Sequence, residues 1–160
     1  MSKRALVAYF SASGVTATVG KELAAAISAD TYEIVPKVKY TAEDLNWQDS
    51  NSRSSIEMKD AKARPELADK SAPVDDADVV FLGFPIWWYT APRIINTFLE
   101  EYDFFGKHVV LFATSGGSDI EKSIKDLQNT YTKIHFDGGK KLNVGMTREE
   151  LKALAGKYMN

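Results

Sequence analysis

The stretch Ala5-Leu6-Val7-Ala8-Tyr9-Phe10-Ser11-Ala12-Ser13-Gly14-Val15-Thr16 decides the fold. Its first half is apolar at every position, which suits a strand covered on both faces rather than one wetted on alternate residues. The second half changes abruptly to hydroxyls and glycine. It then enters an alanine-rich helical pattern, Thr16–Ser28, with Val19, Leu23 and Ile27 along one face. Strand, small polar turn and helix N-terminus in that order make an anion cradle. Ser11, Ser13 and Thr16 offer hydroxyls, Gly14 lets the backbone approach closely, and the helix start aims free N–H groups outward. Such a turn holds a monophosphate dianion without a lysine. A capped turn with no ligand has the same composition, so its position in the fold must decide.

Two more runs are apolar on both faces, Val79–Phe84 and Val109–Ala113. Two others are built differently. Thr31–Tyr40 carries Glu33, Lys37, Lys39 and Pro36, and Lys133–Leu142 is polar and broken by Asp137-Gly138-Gly139. Proline and charge belong at sheet edges. Helical patterns lie between the strands. Pro92–Tyr102 buries Ile94, Ile95, Phe98 and Leu99, and Ile120, Ile124, Leu127 and Tyr131 form a stripe. Ser118-x-x-Glu121 and Thr147-x-x-Glu150 read as capping boxes. The alternation predicts a doubly wound α/β domain. Central apolar strands and polar edges select a five-stranded parallel sheet of order 2-1-3-4-5. The six-stranded dinucleotide order would bury Pro36 and its neighbouring charges. In the chosen order the ligand crevice opens between the first and third strands, which nominates the loops Ser11–Thr16 and Pro85–Thr90.

The second of these loops is unusual. Pro85-Ile86-Trp87-Trp88-Tyr89-Thr90 carries consecutive large aromatics as it leaves a buried strand. Beside a phosphate cradle they suit a flat conjugated ligand, although a hydrophobic plug or a subunit contact would use the same residues. A third loop, Thr114-Ser115-Gly116-Gly117-Ser118, exposes backbone groups that can bond the polar rim of a ring; a flexible capped turn reads alike. Gly14…Gly20-Lys21-Glu22 has the wrong spacing for a P-loop, and no G-x-G-x-x-G occurs. A nucleoside triphosphate is not expected.

Composition narrows the chemistry. The 160 residues, 44% hydrophobic and 26% charged, fit one domain spanning 1–160. There is no cysteine, which excludes disulfides, iron–sulfur clusters and cysteine-ligated zinc. With two histidines, His108 and His135, no metal site is expected. Hard chemistry must then arrive with an organic cofactor. A net charge of −2 with scattered lysines speaks against nucleic acid. No run is long enough to span a bilayer and no leader is visible, so no membrane partner and a cytoplasmic location are expected.

At these residues the chain resembles the flavodoxin family. Leu6–Phe10 followed by Ser-Ala-Ser-Gly-Val-Thr is similar to the family's S/T-x-T-G-x-T phosphate loop for flavin mononucleotide (FMN). The likeness runs over essentially the whole chain and extends to both ring-binding loops. Tyr40–Pro65, with Asp44-Leu45-Asn46-Trp47 and Ser52-Arg53-Ser54, also resembles one bacterial flavodoxin-like branch. The resemblance implies a flavodoxin-like three-layer sandwich. It implies FMN as cofactor, with the phosphate on Ser11, Ala12, Ser13, Gly14, Val15 and Thr16. The isoalloxazine would pack on Pro85, Ile86, Trp87, Trp88 and Tyr89, with ring-edge hydrogen bonds from Thr114, Ser115, Gly116 and Gly117.

The chain also departs from the family's electron carriers. Ser13 stands for the usual threonine and keeps the hydroxyl. No glycine lies between Pro85 and Ala91, where the carriers use one beside flavin N5 to poise one-electron chemistry. Thr114–Ser118 lacks the tyrosine that covers their second flavin face, and the charge of −2 is mild. Pro85-Ile86-Trp87-Trp88 with Ala91-Pro92 is similar to the ring loop of flavodoxin-fold NAD(P)H:quinone reductases. The expectation is an FMN-binding electron-transfer protein. The alternative is an FMN-dependent NAD(P)H:quinone-type reductase, and a flavin-binding regulatory module is the third reading. Partners would be a redox protein or an NAD(P)H- or quinone-type small molecule, with the chain a monomer or homodimer.

Thr41–Asp78 is long for a connection. A short helix is expected near Asn51–Asp60, with Trp47 anchored on the body near the flavin. Arg53 and Arg64 read as surface charges before phosphate ligands, and His108 and His135 as structural or surface residues.

Overall fold

The computed structural model describes residues 3–115 and 117–159. In chain order it forms β1 (Ala5–Tyr9), α1 (Val15–Ile27), β2 (Asp30–Glu33), α2 (Arg53–Lys59), β3 (Val79–Pro85), α3 (Arg93–Glu101), β4 (His108–Thr114), α4 (Glu121–Thr130), β5 (His135–Lys141) and α5 (Arg148–Gly156), with a 3-10 turn at Val74–Asp76. The strands make one parallel sheet of order β2-β1-β3-β4-β5, as expected. No helix among the described residues is long and apolar enough to cross a membrane.

The period of two along each strand divides the core into two layers. Leu6, Ala8, Val80, Leu82 and Leu111 face α3 and α4, packing on Ile94, Ile95, Phe98 and Leu127. Val7, Tyr9, Phe81, Val110 and Phe112 face α1 and α5, packing on Val19, Leu23, Leu151 and Ala155. Each fully buried large side chain is worth ~1.5–3 kcal/mol, so the central strands β1, β3 and β4 carry most of the stability. Gly83 in β3 is dictated by this packing. A Cβ there would stand 2.1 Å from Cζ of Phe112, so the ring can lie across the strand only because the position is bare.

The edge strands are shorter than their sequence suggests. β2 stops at Glu33, well before Tyr40. Pro36 lacks the N–H a ladder needs and instead forms an isolated antiparallel bridge with Leu67, flanked by Lys37 N–H to Glu66 C=O and Ala68 N–H to Val35 C=O. The segment therefore leaves the sheet to hold the crossover. β5 is also shorter than expected and contains a bulge. Thr147 and Glu150 form the expected capping box on α5. Ser118 does not cap α4, which starts after Ile120 with no side-chain cap, and Ser115 takes up the Ser118 N–H instead. The crossover does fold a short helix, α2, capped by Ser52, whose hydroxyl accepts from Ser55 N–H.

Candidate cofactor site

Three loops leave the C-terminal ends of β1, β3 and β4 side by side. In the first, Gly14 stands at φ +97°, a left-handed conformation that costs glycine nothing. It serves as the N-cap of α1 without any side-chain cap. The Ser11 hydroxyl folds under the loop and accepts from the N–H groups of Gly14 and Ala17, both at 3.1 Å. Among the described residues, the N–H groups of Ala12, Ser13, Val15 and Thr16 have no hydrogen-bond partner. Val15 and Thr16 are orphan donors of the helix start, where the helix dipole favours an anion, and Ala12 and Ser13 are free donors of the loop that precedes it. Ser13 and Gly14 are exposed, and Thr16 is buried.

Thr16 ties this loop to the next. Its hydroxyl hydrogen-bonds that of Thr114 at 2.7 Å, and both are buried. The Thr114 carbonyl accepts from Ile86 N–H at 3.1 Å. One residue at the end of β4 thus holds both neighbouring loops in place. Ser115 closes its own turn by accepting from the N–H groups of Gly117 and Ser118. Gly116 lies outside the described residues.

The loop after β3 is a tight turn. Trp87 and Thr90 exchange both backbone hydrogen bonds, at 2.9 and 3.0 Å. The residues between them, Trp88 at φ +48° and Tyr89 at φ +66°, both take left-handed conformations. Positive φ at both central positions is the pattern of a type I′ turn, normally supplied by Asn-Gly or Asp-Gly. For a bulky residue such a φ is an outlier worth about 1–3 kcal/mol. The turn is held from outside as well, because the Thr90 hydroxyl donates to Asp126 Oδ2 at 2.7 Å. Burial alone would push the Asp126 carboxyl up, but hydrogen bonds from Lys122 and Thr90 and the charges of Lys122 and Arg93 outweigh it. The group is held below the usual carboxylate range.

The aromatic rings divide their work. Trp87 is half-buried, edge-on to Phe10 at 5.7 Å and to Tyr40 at 5.4 Å. Tyr40 is braced in turn by the Arg53 guanidinium, 3.8 Å above its ring, and by a hydrogen bond from its phenol to Glu57. Burial and Glu57 push the Tyr40 phenol far above its ordinary value, so it stays protonated. Trp88 and Tyr89 stand 39% and 65% exposed at the rim.

A cavity of about 630 Å³ opens here, walled by Leu45, Trp47, Ser54, Ile86, Trp87, Trp88, Tyr89, Gly117 and Ser118. Its size lies within the usual range for small-molecule sites. Of the expected site residues, Ile86, Trp87, Trp88, Tyr89 and Gly117 share this wall. Pro85, Thr114, Ser115 and the cradle Ser11–Thr16 stand outside it, joined to it through the Thr16–Thr114–Ile86 hydrogen bonds. Trp47 lines the cavity but is 68% exposed, so it overhangs the site rather than being anchored on the body. Leu45 and Ser54 reach the wall from the crossover, which nothing in their local sequence signals. Arg53 and Arg64 are structural: Arg53 pairs with Glu57 and Arg64 with Glu100, each at 2.9 Å. His108 and His135 lie at the other end of the sheet.

The residues fit FMN. A dianion suits the free N–H groups of the β1 loop with the Ser13 hydroxyl, and a flat ring suits a cavity walled in part by Trp47, Trp87, Trp88 and Tyr89. The fold and site thus define a doubly wound protein that takes a phosphate-bearing cofactor with a planar ring at its topological switch point. The chain belongs to the flavodoxin family, whose model matches residues 4–158. It is similar to a candidate flavoprotein from Bacteroides uniformis, at 49% identity over 98% of this chain and 99% of that one, with a TM-score of 0.91. A flavoprotein from Lactobacillus acidophilus, solved in complex with FMN, shares the fold at 20% identity, covering 87% of this chain and 93% of that one, with a TM-score of 0.72. Among curated proteins, NAD(P)H dehydrogenase [quinone] 1 of Cavia porcellus is 26% identical over 92 residues, 48% of this chain. That match spans only 34% of the relative's length.

Proposed function

We propose that the chain holds FMN non-covalently in the β1, β3 and β4 loops and mediates electron transfer through it. The observation that carries this is the Thr16–Thr114–Ile86 chain of hydrogen bonds, which fixes an anion cradle beside an aromatic cavity. Bound FMN supplies the redox chemistry, and this chain has no cysteine of its own to offer any. The cradle N–H groups bind the phosphate. Trp87, backed by Phe10 and Tyr40, gives the ring a fixed wall, while Trp88, Tyr89 and Trp47 limit water at the rim. The Tyr40 phenol, held above its ordinary pKa by burial and Glu57, donates to Glu57 and so braces the ring behind Trp87. The electron partner is a redox protein or a small NAD(P)H- or quinone-type molecule met in the cytoplasm.

A second reading, an FMN-dependent NAD(P)H:quinone-type reductase, is favoured by the turn at Trp87–Thr90. It has no glycine, and its geometry is fixed by hydrogen bonds at Trp87, Thr90 and Asp126. A turn that cannot readjust beside the ring gives no help to one-electron steps. The guinea-pig relative's name points the same way. Anaerobic potentiometric titration of the FMN-loaded protein, run alongside NAD(P)H oxidation with a quinone, separates the readings. Two resolved one-electron waves with no NAD(P)H turnover mark the carrier. One two-electron wave with FMN-dependent turnover marks the reductase. Failure of the chain to bind FMN sinks both.

A further inference from the structure

Both histidines of the chain stand together, although 27 positions separate His108 from His135. His108 opens β4 and His135 opens β5, and the two are direct register partners with ring centroids 4.7 Å apart. The next pair is Val109 with Phe136, and the one after is Val110 with Gly138. Asp137 is therefore the extra residue of a β-bulge, with no partner on β4. Bulges re-aim side chains, and this one turns the Asp137 carboxylate onto both imidazoles. His108 Nδ1 lies 3.0 Å from Asp137 Oδ2, and His135 Nε2 lies 2.5 Å from Oδ1.

We propose that His108 Nδ1, His135 Nε2 and the Asp137 carboxylate bind a divalent transition-metal cation of the zinc type, clipping the edge strand β5 to β4. One donor atom from each residue can be chosen so that all lie within 4.8 Å of one another. Tetrahedral zinc with nitrogen and oxygen ligands at about 2.0–2.2 Å sets those ligands roughly 3.3–3.5 Å apart, so only a small side-chain shift is needed. Two imidazoles and one carboxylate suit zinc or its neighbours in the first transition row and not calcium or magnesium, which prefer oxygen sets. On binding, the cation replaces the hydrogens that the imidazoles now share with the carboxylate, and each ring turns to its other tautomer.

The surroundings allow it. Asp137 and His108 are half-buried while His135 is exposed, which leaves an entry path and an open fourth position. Lys107, next to His108, points its ammonium away, donating to the carbonyls of Asp75 and Ala77. Lys133 lines the same groove as His108 and His135 but is exposed, so solvent screens its charge. The site opens β4, whose last residue, Thr114, holds the cofactor loops about 20 Å away. Its role is then structural: β5 is an outer strand that otherwise depends on β4 and α4 for its place, and edge strands are the vulnerable part of a sheet.

The test uses the full chain purified without a histidine tag and stripped with a chelator. Equilibrium dialysis against zinc(II) chloride should give one zinc per chain, and zinc should raise Tm. Cobalt(II) should give the ligand-field bands of a four-coordinate site. His135→Gln, at an exposed position that leaves the core intact, should weaken zinc binding by more than the ~10–100-fold that loss of an outer-shell partner costs. It should also abolish the zinc-induced rise in Tm, and Asp137→Asn should do the same. Less than stoichiometric zinc on the unaltered chain, or equal binding by His135→Gln, overturns the proposal.

Discussion

Two loops at the same end of the sheet need left-handed backbone, and they obtain it differently. After β1 the position is Gly14, for which φ +97° carries no penalty. After β3 the positions are Trp88 and Tyr89, for which the same half of the Ramachandran map costs about 1–3 kcal/mol each. The first loop is thus preorganised at no expense, as a phosphate cradle must be if its N–H groups are to meet an anion without rearranging. The second loop is strained and is kept in place by its neighbours: the Trp87–Thr90 hydrogen-bond pair, Ile86 N–H on Thr114, and Thr90 on Asp126. Strain of this kind persists where the side chains are needed for something other than folding. Here it keeps two aromatic rings at the rim of a cavity.

The contrast can be broken at Thr16, which serves both loops. Thr16→Val leaves the buried Thr114 hydroxyl without its partner, so stability should fall by about 1–3 kcal/mol and FMN affinity should drop with it. Urea unfolding with and without FMN reads both. Gly14→Ala puts a side chain in a left-handed site with open space around it, so the loss should be purely conformational, about 1–2 kcal/mol. Tyr89→Gly should act in the opposite direction. Relief of strain should raise the stability of the cofactor-free protein by ~1 kcal/mol, while removing a wall of the cavity should weaken FMN. A Tyr89→Gly protein less stable than its parent would show that the turn is not strained.

The smallest effect is expected at Asp126. Its carboxyl is more acidic folded than unfolded, so its contribution to stability is complete above the unfolded pKa of about 3.9. That contribution is lost as pH falls through the lower folded value. Because the side chain is 41% exposed, solvent screens much of it. The Asp126→Asn variant should therefore differ from its parent modestly at neutral pH and converge with it in acid, as followed by Tm against pH.

Much of the fold was legible because burial leaves a plain mark on composition. β1, β3 and β4 are apolar on both faces, and that alone orders the sheet and puts the cradle beside the aromatic loop. What stayed hidden depends on partners distant in sequence. β2 stops early because Pro36 bridges to Leu67, and Leu45 and Ser54 reach the cavity wall only through the folded crossover. The turn at Trp88-Tyr89 lacks the Asn-Gly signature by which such turns are read. The meeting of His108, His135 and Asp137 follows from one extra residue in β5, which no count of ligand residues anticipates.

The central claim is that the free N–H groups of Ala12, Ser13, Val15 and Thr16 grip the phosphate of FMN with no cation to help. Fluorescence titration of FMN into the unaltered chain and into Ser13→Asp tests it most directly. Ser13 is exposed and its hydroxyl carries no structural hydrogen bond among the described residues, so the variant should fold with an unchanged Tm. One FMN per unaltered chain is expected, with a loss of affinity of about 100-fold or more in the variant, the cost of several kcal/mol for like charges in contact. A variant that binds FMN as tightly as its parent would contradict it.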